Sequence, residues 1–295
     1  MKILLTGING QLGFELQRAL APLGEVIGLD RTGCDLANLA QVRQLLRDLQ
    51  PTIIVNPAAY TAVDRAESEV ELAHQINALA PGVLGEEAAK IGALVVHYST
   101  DYVFDGTKVA AYGEVDTPNP QSQYGKSKLA GEQALVASGA KHLIFRTSWV
   151  VGAFGNNFAK TMLRLAAERD SLRVVADQYG APTSAALIAD VTAQILAQYQ
   201  RANSADFPYG LYHLTAQGRT NWHTYAQFIL SQAAQLGHRL RVPAAAVEAI
   251  PASAYPLPAP RPSNSELDSS HLRTTFGLNL PDWRLGVEHT LRLLC

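Results

Sequence analysis

The chain lacks most of the devices that hold small secreted or metal-bound proteins together. Its two cysteines, Cys34 and Cys295, stand far apart and in no paired spacing. That excludes a disulfide framework and a cysteine-based zinc or redox motif. The eight histidines form no ligand-like cluster, so no metal site is indicated. Excess charge is also missing: 26 acidic against 24 basic residues leave a formal net charge of -2. Such a balance offers no general attraction to a nucleic-acid backbone or an anionic lipid surface. No apolar run approaches the ~20 residues that span a bilayer. The first run, residues 3–5, meets Thr6 and Gly7 too early to form a signal-peptide core. The expectation is a cytoplasmic protein with a small ligand, no nucleic-acid partner and no membrane anchor.

What is present is an ordinary globular composition, 47% apolar and 17% charged, which supports a packed core. At 295 residues the chain suits a main domain with a smaller partner. Residues 2–6 read as a short buried strand, followed by a glycine-spaced turn and a helical pattern over residues 11–21. Strand and helix then recur, with strands at 26–29, 52–56, 94–99 and 142–146 and helices around 39–49, 70–91 and 124–138. The alternation predicts an α/β fold, a Rossmann-type doubly wound parallel sheet with its ligand crevice at the carboxyl ends of the strands. Beyond Trp149 the pattern loosens. Strand-like pieces at 173–176 and 211–214 and a helix over 221–236 are expected to continue the sheet. The dinucleotide-binding domain is thus expected at 1–149 plus about 170–235, interleaved with a smaller C-terminal substrate domain at about 150–169 and 236–295. The proline-rich stretch 251–262 reads as a rigid loop leading to a last helix near 282–294.

The first strand ends in TGINGQLG, which sets Gly7, Gly10 and Gly13 at three-residue intervals across a strand-to-helix turn. Gly7 permits the tight turn, Gly10 lets the backbone approach a pyrophosphate, and Gly13 lets helix and strand pack closely, while the helix N-terminus offers amides and a positive dipole end. The spacing departs by one residue from the G-x-G-x-x-G fingerprint, and its place directly after the first strand is what makes it a phosphate cradle. Asn9, Gln11 and Leu12 belong to the same turn. Asp30 follows about twenty residues later, where an acidic side chain accepts hydrogen bonds from an adenosine ribose. The adjacent Arg31 suits a 2′-phosphate instead, so the pair leaves NAD and NADP both open. Asp35 and Leu36 are placed at the adenine. Asn56, Pro57, Ala58 and Ala59, followed by Tyr60, close the third strand with small residues that let a cofactor lie against the backbone.

Thr100 stands at the end of the fourth strand, in STDYVFDG, and YGKSK follows with Tyr124 and Lys128 four apart. On a helix that spacing puts both on one face, where an ammonium is expected to lower the phenol pKa from about 10. A Tyr so tuned gives a proton to a carbonyl oxygen as hydride reaches carbon, and Thr100 is placed to hydrogen-bond the same oxygen.

The glycine pattern, the strand-end Thr and Tyr-x-x-x-Lys resemble the extended short-chain dehydrogenase/reductase superfamily. More narrowly, GINGQLG, NPAAYTAVDRAE, HYSTDYVFDG, YGKSKLAGE, FRTSWVVG, NNFAKTML, DQYGAPT and RPSNSELD resemble the dTDP-4-dehydrorhamnose reductase family along nearly the whole chain. One departure is Pro57, where that family commonly has Ala. The resemblance implies reduction of the 4-keto group of dTDP-4-dehydro-L-rhamnose to dTDP-L-rhamnose by NADPH, with NADH also accommodated. It implies Tyr124 as proton donor, Lys128 as the group that tunes it and holds the nicotinamide ribose, and Thr100 as the group that orients the carbonyl. Asp101, Phe104, Trp149, Asn156, Arg261 and Asn264 fall in segments that in the family line the nucleotide-sugar side. A guanidinium at Arg261 suits a diphosphate. Some family members hold magnesium at a dimer contact, which would draw in Glu15 and a homodimer, but a single carboxylate on a helix face does not indicate a metal.

Two other functions share these features. Sugar-nucleotide dehydratases have the glycine turn and Tyr-x-x-x-Lys but carry an Asp-Glu pair after the Thr. Here Asp101 is followed by Tyr102, which favours simple reduction. A non-catalytic cofactor-binding subunit, the role a family relative plays for methionine adenosyltransferase, shares the fold, and the fold alone does not exclude it. The intact Thr100, Tyr124 and Lys128 set argues for turnover.

Overall fold

The computed structural model describes residues 1–203 and 205–294, so Cys295 lies outside the described residues. Lys2–Thr6 (β1) enters the helix Gln11–Leu20 (α1) directly, and Glu25–Leu29 (β2), Leu39–Leu49 (α2) and Ile53–Asn56 (β3) follow. Val70–His74 (α3) and Ala80–Ile91 (α4) lead to Leu94–Thr100 (β4), and Gln123–Ala137 (α5) to Lys141–Thr147 (β5). After β5 the elements shorten: Val150–Val151 (β6), Phe158–Glu168 (α6), Leu172–Val175 (β7), Tyr179–Gly180 (β8) and Thr183–Ser184 (β9). Ala185–Arg201 (α7), Gly210–His213 (β10), Thr220–Asn221 (β11), Trp222–Gln235 (α8), Val247–Ile250 (β12), Ser270–Phe276 (α9) and Trp283–Arg292 (α10) complete the chain.

One six-stranded sheet runs in the order β10-β5-β4-β3-β1-β2, and every neighbouring pair in it is parallel. Successive side chains feed opposite faces. Ile3, Leu5, Ile53 and Val55 pack under α1, α7 and α9, whereas Leu4 and Ile54 pack under α2, α4 and α5. The chain steps from β1 outward to β2 and returns on the other side at β3, so the gap above these strands is the topological switch point where such sheets bind ligands.

Two expectations need correction. The strand expected at 173–176 does not extend the sheet: β7 pairs with β12, because β10 occupies the edge of β5. β7 and α8 instead belong to a second core with α6, β12 and α10, built on Met162, Leu172, Tyr225, Ile229, Val247 and Trp283. The helix expected over 70–91 is split by a π turn at Gln75–Leu79, in which the Ala80 N–H bonds back five residues to Gln75 O. Pro81 explains it, since proline has no N–H for the carbonyl of residue 77 and its ring crowds that carbonyl.

Candidate active site

At the end of β1 the backbone of Gly7 takes φ +61, a conformation open to glycine at no cost. A Cβ on Gly13 would lie 2.1 Å from Gly7 O, so only glycine lets α1 begin this close to the strand. Six helices start under a side-chain cap from Asn38, Ser122, Asn157, Ser184, Asn221 or Asp282. α1 starts at Gly10 with no such cap and no acidic residue in its first turn. Its leading amides and dipole are therefore offered to an anion. The Leu12 side chain packs into the sheet core. Gln11 ties the turn to the segment after β5 through Val150 O at 3.4 Å and Asn157 Nδ2 at 2.9 Å.

Around this cradle, Asn9 Nδ2 donates to Asp30 Oδ2 at 3.2 Å, and Asp30 Oδ1 accepts from Thr32 Oγ1 at 2.6 Å. Those bonds, Thr32 first, hold the Asp30 carboxyl below the usual carboxylate range. Arg31 is exposed, with Nε 3.6 Å from Asp35 Oδ1, and Leu36 is buried beneath. Ala58 backs the glycine turn so closely that a Cβ on Gly7 would meet its own Cβ at 2.9 Å. Ala59 follows it, and Tyr60 is fixed through its backbone, which exchanges bonds of 2.8 and 3.0 Å with the Asn77 side chain from the π turn. An uncapped helix start, a small-residue wall and an exposed guanidinium fit a phosphorylated dinucleotide.

Thr100 ends β4, and Tyr124 sits in the first turn of α5, capped by Ser122. The helix start approaches the turn after β4 so closely that a Cβ on Gly125 would lie 2.2 Å from Tyr102 O, and this brings Tyr124 near enough to Thr100 for the hydroxyl to act on its pKa. The Thr100 hydroxyl in turn donates to Asp101 Oδ1 at 3.0 Å. Lys128, one helical turn on, is buried, and its Nζ donates to Tyr98 O at 2.6 Å and lies 3.2 Å from His97 Nε2. The expected lowering of the Tyr124 pKa is not found. Burial pushes it up to about 12, opposed by the Thr100 hydrogen bond and reinforced by the Asp101 charge. The lysine is directed at β4 instead, and burial lowers its own pKa to about 8 against the pull of Glu132.

Against the second core lies a cavity of about 520 Å³ walled by Tyr102, Trp149, Phe158, Trp222, Tyr255 and Arg261. Tyr102, which lines the cavity, stands edge-on to Tyr124 with ring centroids 5.5 Å apart. Trp149 holds φ +48, which for a bulky residue costs on the order of 1–3 kcal/mol. Its indole stacks on Trp222 at 3.6 Å.

The family model described as the RmlD substrate binding domain matches residues 1–295. The dTDP-4-dehydrorhamnose reductase of Salmonella typhimurium is 50% identical over 295 residues, 99% of this chain and 97% of that one. The chain belongs to the dTDP-4-dehydrorhamnose reductase family. Among solved structures, the dTDP-4-dehydrorhamnose reductase of Clostridium acetobutylicum is similar with a TM-score of 0.89 at 38% identity, over 100% of this chain and 99% of that one. That of Bacillus anthracis, in complex with NADP, matches with a TM-score of 0.88 at 36% identity, over 99% and 98%.

Within this family fold the expected substrate residues are not equally available. Trp149 and Arg261 line the cavity, but Arg261 Nη2 donates to Asp64 Oδ2 at 2.8 Å and Nη1 to Ala259 O at 2.9 Å. Asp101 is buried and accepts from the Thr100 hydroxyl, with its Oδ2 left without a hydrogen-bond partner. Phe104 is stacked on Tyr112 and borders an adjoining hollow of about 210 Å³. Two further residues line neither hollow. Asn156 is exposed on the loop before α6, and the buried Asn264 bonds the carbonyls of Lys108 and Ala110 with its amide N–H groups and Glu266 N with its oxygen. Glu15 pairs with Arg18, which also binds Asp190. Among the described residues no group of three or more His, Cys, Asp and Glu side chains is placed to hold a metal. A resident magnesium therefore does not fit one chain alone.

Sequence reasoning missed Asp64, Phe158, Trp222, Tyr255 and Ser265. A signal existed for two of them, because α6 and α8 both open with an aromatic residue directly after an Asn cap, at Asn157–Phe158 and Asn221–Trp222.

Proposed function

We propose that the chain reduces the 4-keto group of dTDP-4-dehydro-L-rhamnose to give dTDP-L-rhamnose, with NADPH as reductant. The observation that carries this reading is that Thr100 ends β4 and Tyr124 opens α5 on the sheet that carries the uncapped glycine turn, with Tyr102 packed edge-on to Tyr124 while itself lining the aromatic cavity. The bound nicotinamide supplies hydride to the carbonyl carbon. Tyr124 delivers its phenolic proton to the carbonyl oxygen, and Thr100, whose hydroxyl turns from Asp101 to donate to that oxygen, orients it. A phenol with a high pKa keeps its proton until negative charge develops on the oxygen, which suits a general acid. Lys128 holds the nicotinamide ribose, and Arg31 favours the 2′-phosphate while Asp30 serves the adenosine ribose. Trp149, Phe158 and Trp222 receive the flat and apolar parts of the nucleotide sugar, and Arg261, steadied by Asp64, faces its diphosphate. Both ligands are soluble, and the reaction is assigned to the cytoplasm.

NADPH consumption with the keto sugar tests the reading, with the product identified by NMR. Turnover to dTDP-L-rhamnose is expected. NADPH binding without turnover would overturn it in favour of the cofactor-binding subunit.

A further inference from the structure

Three buried polar side chains that the reaction above does not use cross the strand ends to reach Lys128 of α5. Thr6, Asn56, His97 and Lys128 are 0%, 1%, 1% and 2% exposed. Thr6 Oγ1 donates to Asn56 Oδ1 at 2.6 Å, Asn56 Nδ2 lies 3.1 Å from His97 Nδ1, and His97 Nε2 lies 3.2 Å from Lys128 Nζ. The first three follow the strand order β1-β3-β4, and Asn56 and His97 are register partners. One end of this chain lies under the glycine turn, where Thr6 precedes Gly7 and its hydroxyl accepts from Ala58 N at 3.4 Å. The other end is the lysine of the site. Buried polar groups are retained at a cost unless each is satisfied, and apolar residues would fill these positions without that constraint.

We propose that Thr6, Asn56 and His97 form a hydrogen-bond chain that positions Lys128 and sets whether its buried nitrogen is ammonium or amine. His97 is then a positioning residue, an assignment that rests on Lys128 belonging to the reductase site. Donor counting fixes the pattern. An ammonium has three donors and no acceptor, and a neutral imidazole has one of each. Burial, helped by the Lys128 charge, holds His97 well below its ordinary pKa, so the ring is neutral. With the Thr6 hydroxyl donating to the Asn56 carbonyl, the Asn56 amide donates to Nδ1. Nε2 then carries the ring proton and points it at Lys128, which accepts as an amine while donating to Tyr98 O. If the Asn56 amide turns over, Nδ1 carries the proton, Nε2 accepts, and the ammonium is matched instead. By holding the Asn56 carbonyl, Thr6 favours the amine. The other titratable groups around Lys128 are Tyr124 and Glu132 on its own helix, Asp101 after β4, and Arg146 of β5, which binds Glu132 at 2.6 Å. Of these Glu132 favours the ammonium.

The test follows the Lys128 titration by NMR on protein labelled with ¹³C at lysine Cε, with Lys128→Met assigning the signal, so no turnover is needed. Thr6→Val keeps the shape of residue 6 and removes its hydroxyl. Its expected effect is a rise of the Lys128 midpoint by about half a unit or more, with the pH profile of kcat/KM moving in step. His97→Leu is expected to lower kcat about tenfold or more while KM for the keto sugar stays within about twofold, and His97→Gln, which keeps a donor and an acceptor, recovers part of it. An unmoved midpoint in Thr6→Val, in a protein whose remaining spectrum is unchanged, overturns the chain. Turnover by the wild type alongside that result keeps the reductase reading. A shifted midpoint in a protein that never turns over the keto sugar keeps the chain and overturns that reading.

Discussion

At the carboxyl edge of the sheet the protein places backbone and polar groups on long elements: the glycine turn after β1, Thr100 at the end of β4, and Tyr124 and Lys128 in the first turns of α5. Around the cavity it presents large rings carried by separate short elements, Trp149 after β5, Phe158 opening α6, Trp222 opening α8 and Tyr255 in the proline-rich loop. The first arrangement has its position set by long elements packed on both faces of one sheet, and it suits chemistry that tolerates little displacement. The second is assembled from side chains on pieces as short as the two-residue β6, β8, β9 and β11, and it suits selection of one ligand shape. On the proposed reading, reaction falls to the first set and recognition to the second.

The sharpest way to break this division is Tyr124→Phe. It should lower kcat by about 10² to 10⁴, the usual worth of a general acid, and leave NADPH affinity measured by calorimetry nearly unchanged. Near-wild-type turnover with chemistry rate-limiting would remove Tyr124 from the proton transfer. Next in size is Trp222→Ala on the aromatic side, expected to raise KM for the keto sugar about tenfold. A parallel loss of NADPH affinity would show that the two sides are not separable. A smaller effect is expected at Arg31, which is exposed. Arg31→Ala should weaken NADPH by about threefold to tenfold and NADH hardly at all, and equal kcat/KM losses for both cofactors would take Arg31 out of the phosphate site. The smallest effect concerns stability on the sheet side. Burial of His213, with Arg146 nearby, pushes its pKa to about 3 from an ordinary 6.5. A lowered folded-state pKa means stability that is present above pH 6.5 and lost as pH falls from 6.5 toward 3, because the unfolded chain takes up the proton first. The melting temperature should decline through that window, and less steeply in His213→Gln.

The sheet side was legible because recognition through backbone needs glycine where an ordinary residue would collide. Gly7, Gly10 and Gly13 record that need directly, and periodicity places β4 and α5 around Thr100, Tyr124 and Lys128. What lay beyond reach depends on contacts between distant segments. Strand propensity at 173–176 carries no record that β10 has taken the edge of β5, and a helical pattern over 70–91 does not show that Pro81 forces a π turn. Helical spacing brought Lys128 to the same face as Tyr124, yet the pKa of the phenol follows its burial, while the Lys128 nitrogen is directed at Tyr98 O and lies beside His97. Asn264 reads as a ligand-facing amide and instead closes the carbonyls of Lys108 and Ala110.

The stack of Trp149 on Trp222 also has an optical consequence. All three tryptophans of the chain, Trp149, Trp222 and Trp283, belong to the aromatic core, with none in the sheet. Two indoles 3.6 Å apart and nearly parallel couple their transitions, giving a paired signal in circular dichroism and quenched emission. A ligand that enters the cavity and parts or shields these rings announces itself in ultraviolet light, whereas events confined to the glycine turn leave that signal alone. The protein thus carries an unlabelled spectroscopic reporter for one half of its own active site.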